Sequence, residues 1–172
     1  MTLGWPHILI ALIAVERAVE LVHAGHNARA LLARSGREAG AGHYPLFVAL
    51  HGSWLVALAL FARADLSPDW VLLAGLALLQ VLRLWVIVSL GPYWTTRVIT
   101  VAGAPPVKSG PYRYLRHPNY AVVALEIPVA SLVVGLPQVA LLFGCLNAML
   151  LFCRIRIEDM ARAETDLREP VR

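Results

Sequence analysis

The amino-acid sequence predicts an all-α integral membrane protein with about five transmembrane helices. Of the 172 residues, 59% are hydrophobic and only 15% are charged, whereas soluble domains have about 45–50% apolar and about 25% charged residues. The apolar residues are gathered into runs that approach the ~20 residues a helix needs to cross a bilayer. Lys and Arg, finally, are concentrated in alternate connections, as in membrane proteins.

We predict a single membrane domain over residues 1–172. The first apolar run lacks the basic start of a signal peptide and contains charged residues, so it is predicted to be a true span. The last two runs are short and are separated by the turn Gly135–Gln138, which predicts a C-terminal helical hairpin. The predicted spans are residues 3–22, 44–62, 70–90, 120–134 and 138–153.

Two polar connections interrupt the spans. The first, residues 24–42, is predicted to include a helical stretch at Asn27–Arg34. The second, residues 91–118, has the length of a functional loop. Its β-branched run Thr95–Val101 and the turn Gly103–Pro106 predict a short hairpin or an extended excursion.

The basic residues also predict an orientation. With five spans, the connections and tail on one side of the membrane hold nearly all of the Lys and Arg residues, and the other side holds Arg63. The positive-inside rule then places the N-terminus outside and the C-terminus in the cytoplasm. Contact with anionic lipid accounts for the net charge of +4 without nucleic acid as a partner. The basic side holds Arg29, Arg34, Arg37, Arg97, Lys108, Arg113, Arg116, Arg154, Arg156, Arg162, Arg168 and Arg172.

The two cysteines do not predict a metal site. Cys145 and Cys153 lie eight residues apart in one predicted span, which is neither a metal-ligand spacing nor a disulfide framework. We expect both to be small buried residues, and we predict no metal.

A cationic and aromatic segment, residues 108–120, precedes the fourth span, and we call it the collar. Its arginines and His117 lie beside a predicted helix N-terminus, which favours an anion, and its tyrosine rings offer faces to a flat or cationic ligand. The collar therefore predicts a cradle for a small molecule with a carboxylate and an aromatic base. The alternative is a positively charged anchor with an interfacial tyrosine belt.

A second polar group follows the last span. Arg154 and Glu158 are four residues apart and share a helix face, and Asp159 makes an acidic pair with Glu158. The group is either part of a site or the solvated face of a helix with weak ion pairs.

A third group lies inside the predicted spans and comprises Glu16, Arg17, Glu20, Arg83 and Glu126. Charges in a membrane are costly and face a partner or a cavity. We predict a Glu126–Arg83 or a Glu16–Arg83 pair. A purely structural pair and a catalytic or substrate-orienting role both remain open.

Two of these segments together resemble a known family. GPYRYLRHPNY (Gly110–Tyr120), a helical hairpin and then RIRIED (Arg154–Asp159) are similar to the isoprenylcysteine carboxyl methyltransferase family, in a small bacterial-type member. The family pairs G-P-Y-x-x-x-R-H-P-x-Y with a later R-x-x-x-E-E, and Asp159 replaces the second glutamate here. The resemblance covers about Trp85 to Glu164.

The resemblance implies a membrane methyltransferase of the bacterial inner membrane that uses S-adenosylmethionine on the cytoplasmic side. The lipophilic acceptor would enter laterally from the bilayer. Family members continue into a tail that helps to close the pocket, and TDLREPVR (residues 165–172) departs from it, so the resemblance does not extend to this lid. The residues implied to bind the cofactor are Lys108, Gly110, Tyr112, His117, Pro118, Tyr120 and Glu158, and those implied to be needed for activity are Arg116, Arg154 and Glu158.

The acceptor oxygen is predicted to be either a phenolic hydroxyl of a polyketide-derived lipid or an isoprenylcysteine-type carboxylate. A carboxylate is ionised at neutral pH, whereas a phenol, with a pKa near 10, benefits from a general base. His117 and the catalytic candidate Glu126 are the predicted bases. The alternatives are a sterol-reductase-like enzyme using NADPH, although no glycine-rich dinucleotide fingerprint follows a strand, or a non-catalytic scaffold. The oligomeric state is left open.

Overall fold

The computed structural model describes residues 3–104 and 107–168, apart from the side chains of residue 162 and residues 164–168. This part of the chain confirms the all-α membrane fold. Three segments are long and apolar enough to cross a membrane, Ala41–Phe61, Trp70–Tyr93 and Pro137–Ala161, and Pro118–Val133 is a shorter apolar helix. The helices are α1 (Trp5–Ala33), α2 (Tyr44–Phe61), α3 (Trp70–Leu90), α4 (Pro118–Val133) and α5 (Pro137–Arg168).

Two helices, α1 and α5, continue beyond the predicted membrane spans that they contain. The helical stretch predicted at Asn27–Arg34 is the continuation of α1, because no proline and a single glycine, Gly25, interrupt the chain between the span and Ala33. The C-terminal hairpin of α4 and α5 is confirmed, and the predicted last span, residues 138–153, is the first part of its second helix. Since residues 145–168 contain neither glycine nor proline, α5 continues beyond the apolar segment to Arg168.

Of the two forms predicted after Thr95, the chain adopts the extended one and not a local hairpin. Strand β2 (Val98–Thr100) pairs antiparallel with β1 (Arg37–Ala39), which comes from the other polar connection. An ion pair between Arg97 Nη1 and Glu38 Oε2, 3.1 Å long, supports this pairing. The β1–β2 sheet thus joins the two connections at one end of the bundle. Of the predicted turn Gly103–Pro106, Pro105 and Pro106 lie outside the described residues, as does the end of the tail, residues 169–172.

The two ends of the bundle differ in charge. One end brings together the start of α1 and the connection between α2 and α3, where Trp5 Nε1 donates a hydrogen bond to Leu66 O (2.6 Å). Gly135, in the turn between α4 and α5, lies against Leu66. The other end holds the β1–β2 sheet, the collar and the C-terminal turns of α5. The described basic residues of the predicted cytoplasmic side therefore lie at one end of the molecule.

The core lies between α1, α2, α3 and α4. Trp54 is 1% exposed, and its indole Nε1 donates to Ser131 Oγ (2.9 Å), which satisfies a polar group inside the apolar layer. Cys145 and Cys153 are exposed, so the expectation that they are buried is wrong. They lie on the outer surface of α5, where small side chains are compatible with lipid.

Candidate functional site

The shape of the collar depends on the close approach of Gly110 to α3 and on Pro118, at the start of α4. Gly110 has φ +57°, and a Cβ at this position would lie 2.1 Å from Ser89 Oγ and 3.1 Å from Trp85 Nε1 of α3. Only glycine combines this left-handed backbone with such contact. Pro118 then begins α4, a position at which the missing N–H costs nothing.

Tyr120 joins the two sequence motifs. Its hydroxyl donates to Glu158 Oε2 (2.5 Å) and accepts from Arg154 Nε (2.9 Å). Because Arg154 and Glu158 lie one turn apart on α5, both reach the same oxygen atom. The predicted proximity of the collar to residues 154–159 is confirmed.

Three further side chains surround this contact, and with Tyr120, Arg154 and Glu158 they form what we call the Tyr120 cluster: Arg116, His117 and Asp159. Arg116 Nη2 lies 2.9 Å from Asp159 Oδ1. The imidazole of His117 stacks on the Tyr120 ring, with the ring centroids 5.4 Å apart. Its Nδ1 lies 3.9 Å from Glu158 Oε2, and its Nε2 lies 3.9 Å from Asp159 Oδ1.

Arg154 is held by contacts with three residues. Besides its bond to Tyr120, its Nη1 donates to Thr96 O (2.7 Å). Its guanidinium lies 5.4 Å from the ring centroid of Phe47 and 5.6 Å from that of Tyr120. The sequence did not reveal Phe47 or Thr96, because neither belongs to a motif and both are remote from Arg154 along the chain. The result is a buried cation with a fixed position.

One member of the Tyr120 cluster, His117, and the neighbouring residue Asn119 have polar atoms without partners. His117 Nε2 and Asn119 Oδ1 are buried and have no hydrogen-bond partner in the described part of the chain. Buried polar groups in native proteins are nearly always paired. The exposed Lys108 and the half-buried Tyr112 lie on the segment that leads into the cluster. These groups could bind a small polar ligand.

The described residues contain no group of three or more His, Cys, Asp or Glu side chains that could hold a metal ion.

A groove of about 280 Å³ runs between α3, the collar and α4, and its lining is almost entirely apolar. Ala121 and Leu125 line it from a face of α4 that points away from Tyr120. The groove fits a hydrocarbon chain and offers no group that could take up a proton. Its full lining is Leu79, Leu82, Trp85, Val86, Pro111, Tyr114, Leu115, Pro118, Ala121, Val122 and Leu125.

Glu126 lies apart from the Tyr120 cluster, about 9 Å further along α4 at 1.5 Å per residue. Its Oε1 accepts from Arg17 Nη2 (2.6 Å), and its Oε2 accepts from Arg83 Nη1 (3.2 Å). The predicted Glu126–Arg83 pair is confirmed. The alternative Glu16–Arg83 pair is wrong, because Glu20, one turn later on α1, occupies Arg83. The role of Glu126 as a base stays a prediction, and both of its oxygens are already engaged.

The region that holds this site matches a known family. The model of the "Isoprenylcysteine carboxyl methyltransferase (ICMT) family" matches residues 70–164, an interval that begins at α3 and includes the whole Tyr120 cluster. "Uncharacterized protein YpbQ" of Bacillus subtilis (strain 168) is 38% identical over 161 residues, which cover 91% of this chain and 96% of that protein. No solved structure matches the chain.

Proposed function

The chain belongs to the isoprenylcysteine carboxyl methyltransferase family of membrane methyltransferases, and on that premise we propose that it methylates an oxygen atom of a lipophilic acceptor with S-adenosylmethionine as the donor. One observation carries the proposal. The Tyr120 hydroxyl joins Arg154 and Glu158, so the two family motifs form one site beside the apolar part of the molecule.

The residues of the collar and of α5 fit this methyl donor. Arg116 and Lys108 are exposed cations that suit the carboxylate of its methionyl group. The Glu158 carboxylate suits its ammonium group or ribose hydroxyls, and His117 Nε2 and Asn119 Oδ1 lack partners that a polar ligand could supply. When bound, S-adenosylmethionine supplies a methyl group activated by the sulfonium.

The protein would accelerate methyl transfer mainly by positioning the two reactants and by excluding water. Methyl transfer is an in-line displacement, in which alignment of the reactants can lower the barrier by several kcal/mol, with ~7–11 kcal/mol the upper range. The buried Arg154, bonded to Tyr120 and to Thr96 O, gives α4, α5 and the β2 connection one rigid meeting point. The close approach of Gly110 to Ser89 and Trp85 holds the collar against α3.

We propose a phenolic lipid as the acceptor, with an isoprenylcysteine-type carboxylate as the alternative. A phenol needs a base, and His117 Nε2 is a buried nitrogen with no partner in the described residues. Glu126 is the weaker candidate, since two guanidinium groups already donate to its carboxylate. The hydrocarbon part of the acceptor would extend from the cluster past the collar into the groove, which lies on the other face of α4 and which the collar also lines.

We further propose that the collar end faces the cytoplasm and that the opposite end, with Arg63, faces outward across the bacterial inner membrane. Apart from Arg63, the described basic residues of the connections lie together at the collar end, in agreement with the positive-inside rule. A cytoplasmic site also meets the water-soluble methyl donor.

Two measurements on the detergent-solubilised protein test this function. Calorimetric titration should show binding of S-adenosylhomocysteine and no heat with NADPH, and the Arg156→Gln variant, altered at an exposed arginine beside the cluster, should bind equally well. Tritiated methyl transfer to extracted membrane lipids and to a prenylcysteine mimic, side by side, then identifies the acceptor. Binding of NADPH without S-adenosylhomocysteine would overturn the proposal.

A further inference from the structure

Four charged side chains form a closed ring inside the bundle, and we call them the charge ring: Arg17, Glu20, Arg83 and Glu126. The ring lies within the apolar segments, since Arg83 is about 20 Å along α3 from Trp70 and Glu126 is about 12 Å along α4 from Pro118 at 1.5 Å per residue. A charged residue at such a depth calls for a partner and a role.

Positive and negative groups alternate around the ring. Arg17 Nη2 contacts Glu126 Oε1 (2.6 Å), and Arg83 Nη1 contacts Glu126 Oε2 (3.2 Å). Arg83 Nη2 donates to Glu20 Oε2 (2.6 Å), and Arg17 Nη1 closes the ring at Glu20 Oε2 (2.9 Å). Every member therefore touches two neighbours of opposite charge.

The ring is closed to ligands as well as electrically balanced. Its side chains are at most 10% exposed, and it contains two guanidinium groups and two carboxylates. Glu16 lies outside it, 34% exposed, and binds Gln80 Nε2 (2.5 Å) and Arg17 Nη2 (3.4 Å). A substrate that reached the ring would have to displace an ion pair.

The ring connects two parts of the molecule. Arg17 and Glu20 belong to α1, which precedes the interval that matches the family model, whereas Arg83 and Glu126 belong to α3 and α4 within it. Glu126 and Tyr120 are less than two turns apart on α4. The ring fixes the position of α4 along the axis of the bundle. That position therefore also sets where the Tyr120 hydroxyl meets Arg154.

We propose that the charge ring is a positioning device: α1 uses it to fix the height of α4, and Glu126 acts through it rather than as a base. For its activity readout the inference rests on the proposed methyl transfer. Because the ring is balanced, removing one charge leaves its partner buried and uncompensated, whereas removing two neighbours of opposite charge restores the balance.

A double-mutant cycle tests the ring. We expect Glu126→Gln and Arg17→Gln each to lower the melting temperature and to reduce methyl transfer by about 10- to 100-fold through displacement of the site. The double variant should recover the melting temperature and the rate of methyl transfer. Transfer is measured at a temperature below the melting points of all the variants. A second pair, Glu20→Gln with Arg83→Gln, should behave alike, and the exposed pair Arg63→Gln with Asp65→Asn serves as the control.

Two results would overturn the inference. The first is a double variant that regains its melting temperature but transfers as little as Glu126→Gln, since a missing base cannot be restored by a second neutralisation. The second is the failure of both double variants to recover folded protein. If the wild-type protein transfers no methyl group, the proposed function fails instead, and the melting temperatures still decide whether the ring is one coupled unit.

Discussion

The Tyr120 cluster and the charge ring are built from the same kinds of residue and share helix α4, but one is open and the other is closed. In the ring, each charge has two opposite neighbours and little exposure. In the cluster, the Arg116 side chain is 67% exposed and that of Asp159 is 36% exposed, while His117 Nε2 has no partner in the described residues. The difference teaches that the same kinds of ion pair can hold helices together or leave room for a ligand, according to how far solvent and ligand can reach them.

The largest effect is expected when one charge is removed from the ring. Arg83→Gln removes a cation from two carboxylates, and breaking a buried pair costs about 3–5 kcal/mol of stability. Thermal unfolding in detergent should show a large fall in melting temperature. Asp65→Asn, in an exposed ion pair, should leave the melting temperature unchanged. An unchanged melting temperature in Arg83→Gln would show that the ring does not stabilise the fold.

The cluster should respond in the opposite manner, with a large loss of activity and a smaller loss of stability. Arg154→Gln removes the donor that fixes Tyr120 and Thr96, and misplacement of a site by about 1 Å can cost about 100-fold in rate. Methyl transfer is the measurement, with Arg156→Gln as the matched control on the same helix. Equal activity of the Arg154→Gln and Arg156→Gln variants would show that Arg154 has no role in methyl transfer.

Removal of one oxygen atom sharpens the comparison. Tyr120→Phe leaves Arg154 and Glu158 in place but deletes the hydroxyl between them. A hydrogen bond to a charged group contributes about 1.5 kcal/mol, so we expect a loss of roughly tenfold in transfer. Full activity would mean that Arg154 and Glu158 hold the site without the hydroxyl.

The smallest effect is expected in the apolar groove. Ala121→Phe would displace part of a hydrocarbon chain bound along α4, and one methylene is worth about 0.8 kcal/mol, or about fourfold in the KM of the acceptor. The kcat value and the binding of S-adenosylhomocysteine should not change. If the KM of the acceptor is unaffected, the hydrocarbon chain of the acceptor does not bind in this groove.

The sequence predicted most where a signal is local. The long apolar runs identify the helices, and the motifs around His117 and Arg154 are specific enough to identify the Tyr120 cluster through the family resemblance. The proximity of the motifs follows from the short turn between α4 and α5.

The remainder depends on contacts that are distant along the chain. The pairing of β1 with β2 joins residues 37–39 to residues 98–100, and no local pattern selects that partner. Likewise, the sequence showed five charges in the spans, but the rotation of α1 decides that Glu20, rather than Glu16, meets Arg83. Phe47 became part of the site only because α2 packs beside α5.

Ultraviolet cross-linking of radiolabelled S-adenosylmethionine, followed by peptide mapping, tests most directly whether the open cluster is the donor site. We expect the label in peptides that contain residues 108–120 and 154–159, competition by unlabelled S-adenosylhomocysteine, and loss of the label in Arg154→Gln. Specific label confined to peptides outside these two segments would contradict the account.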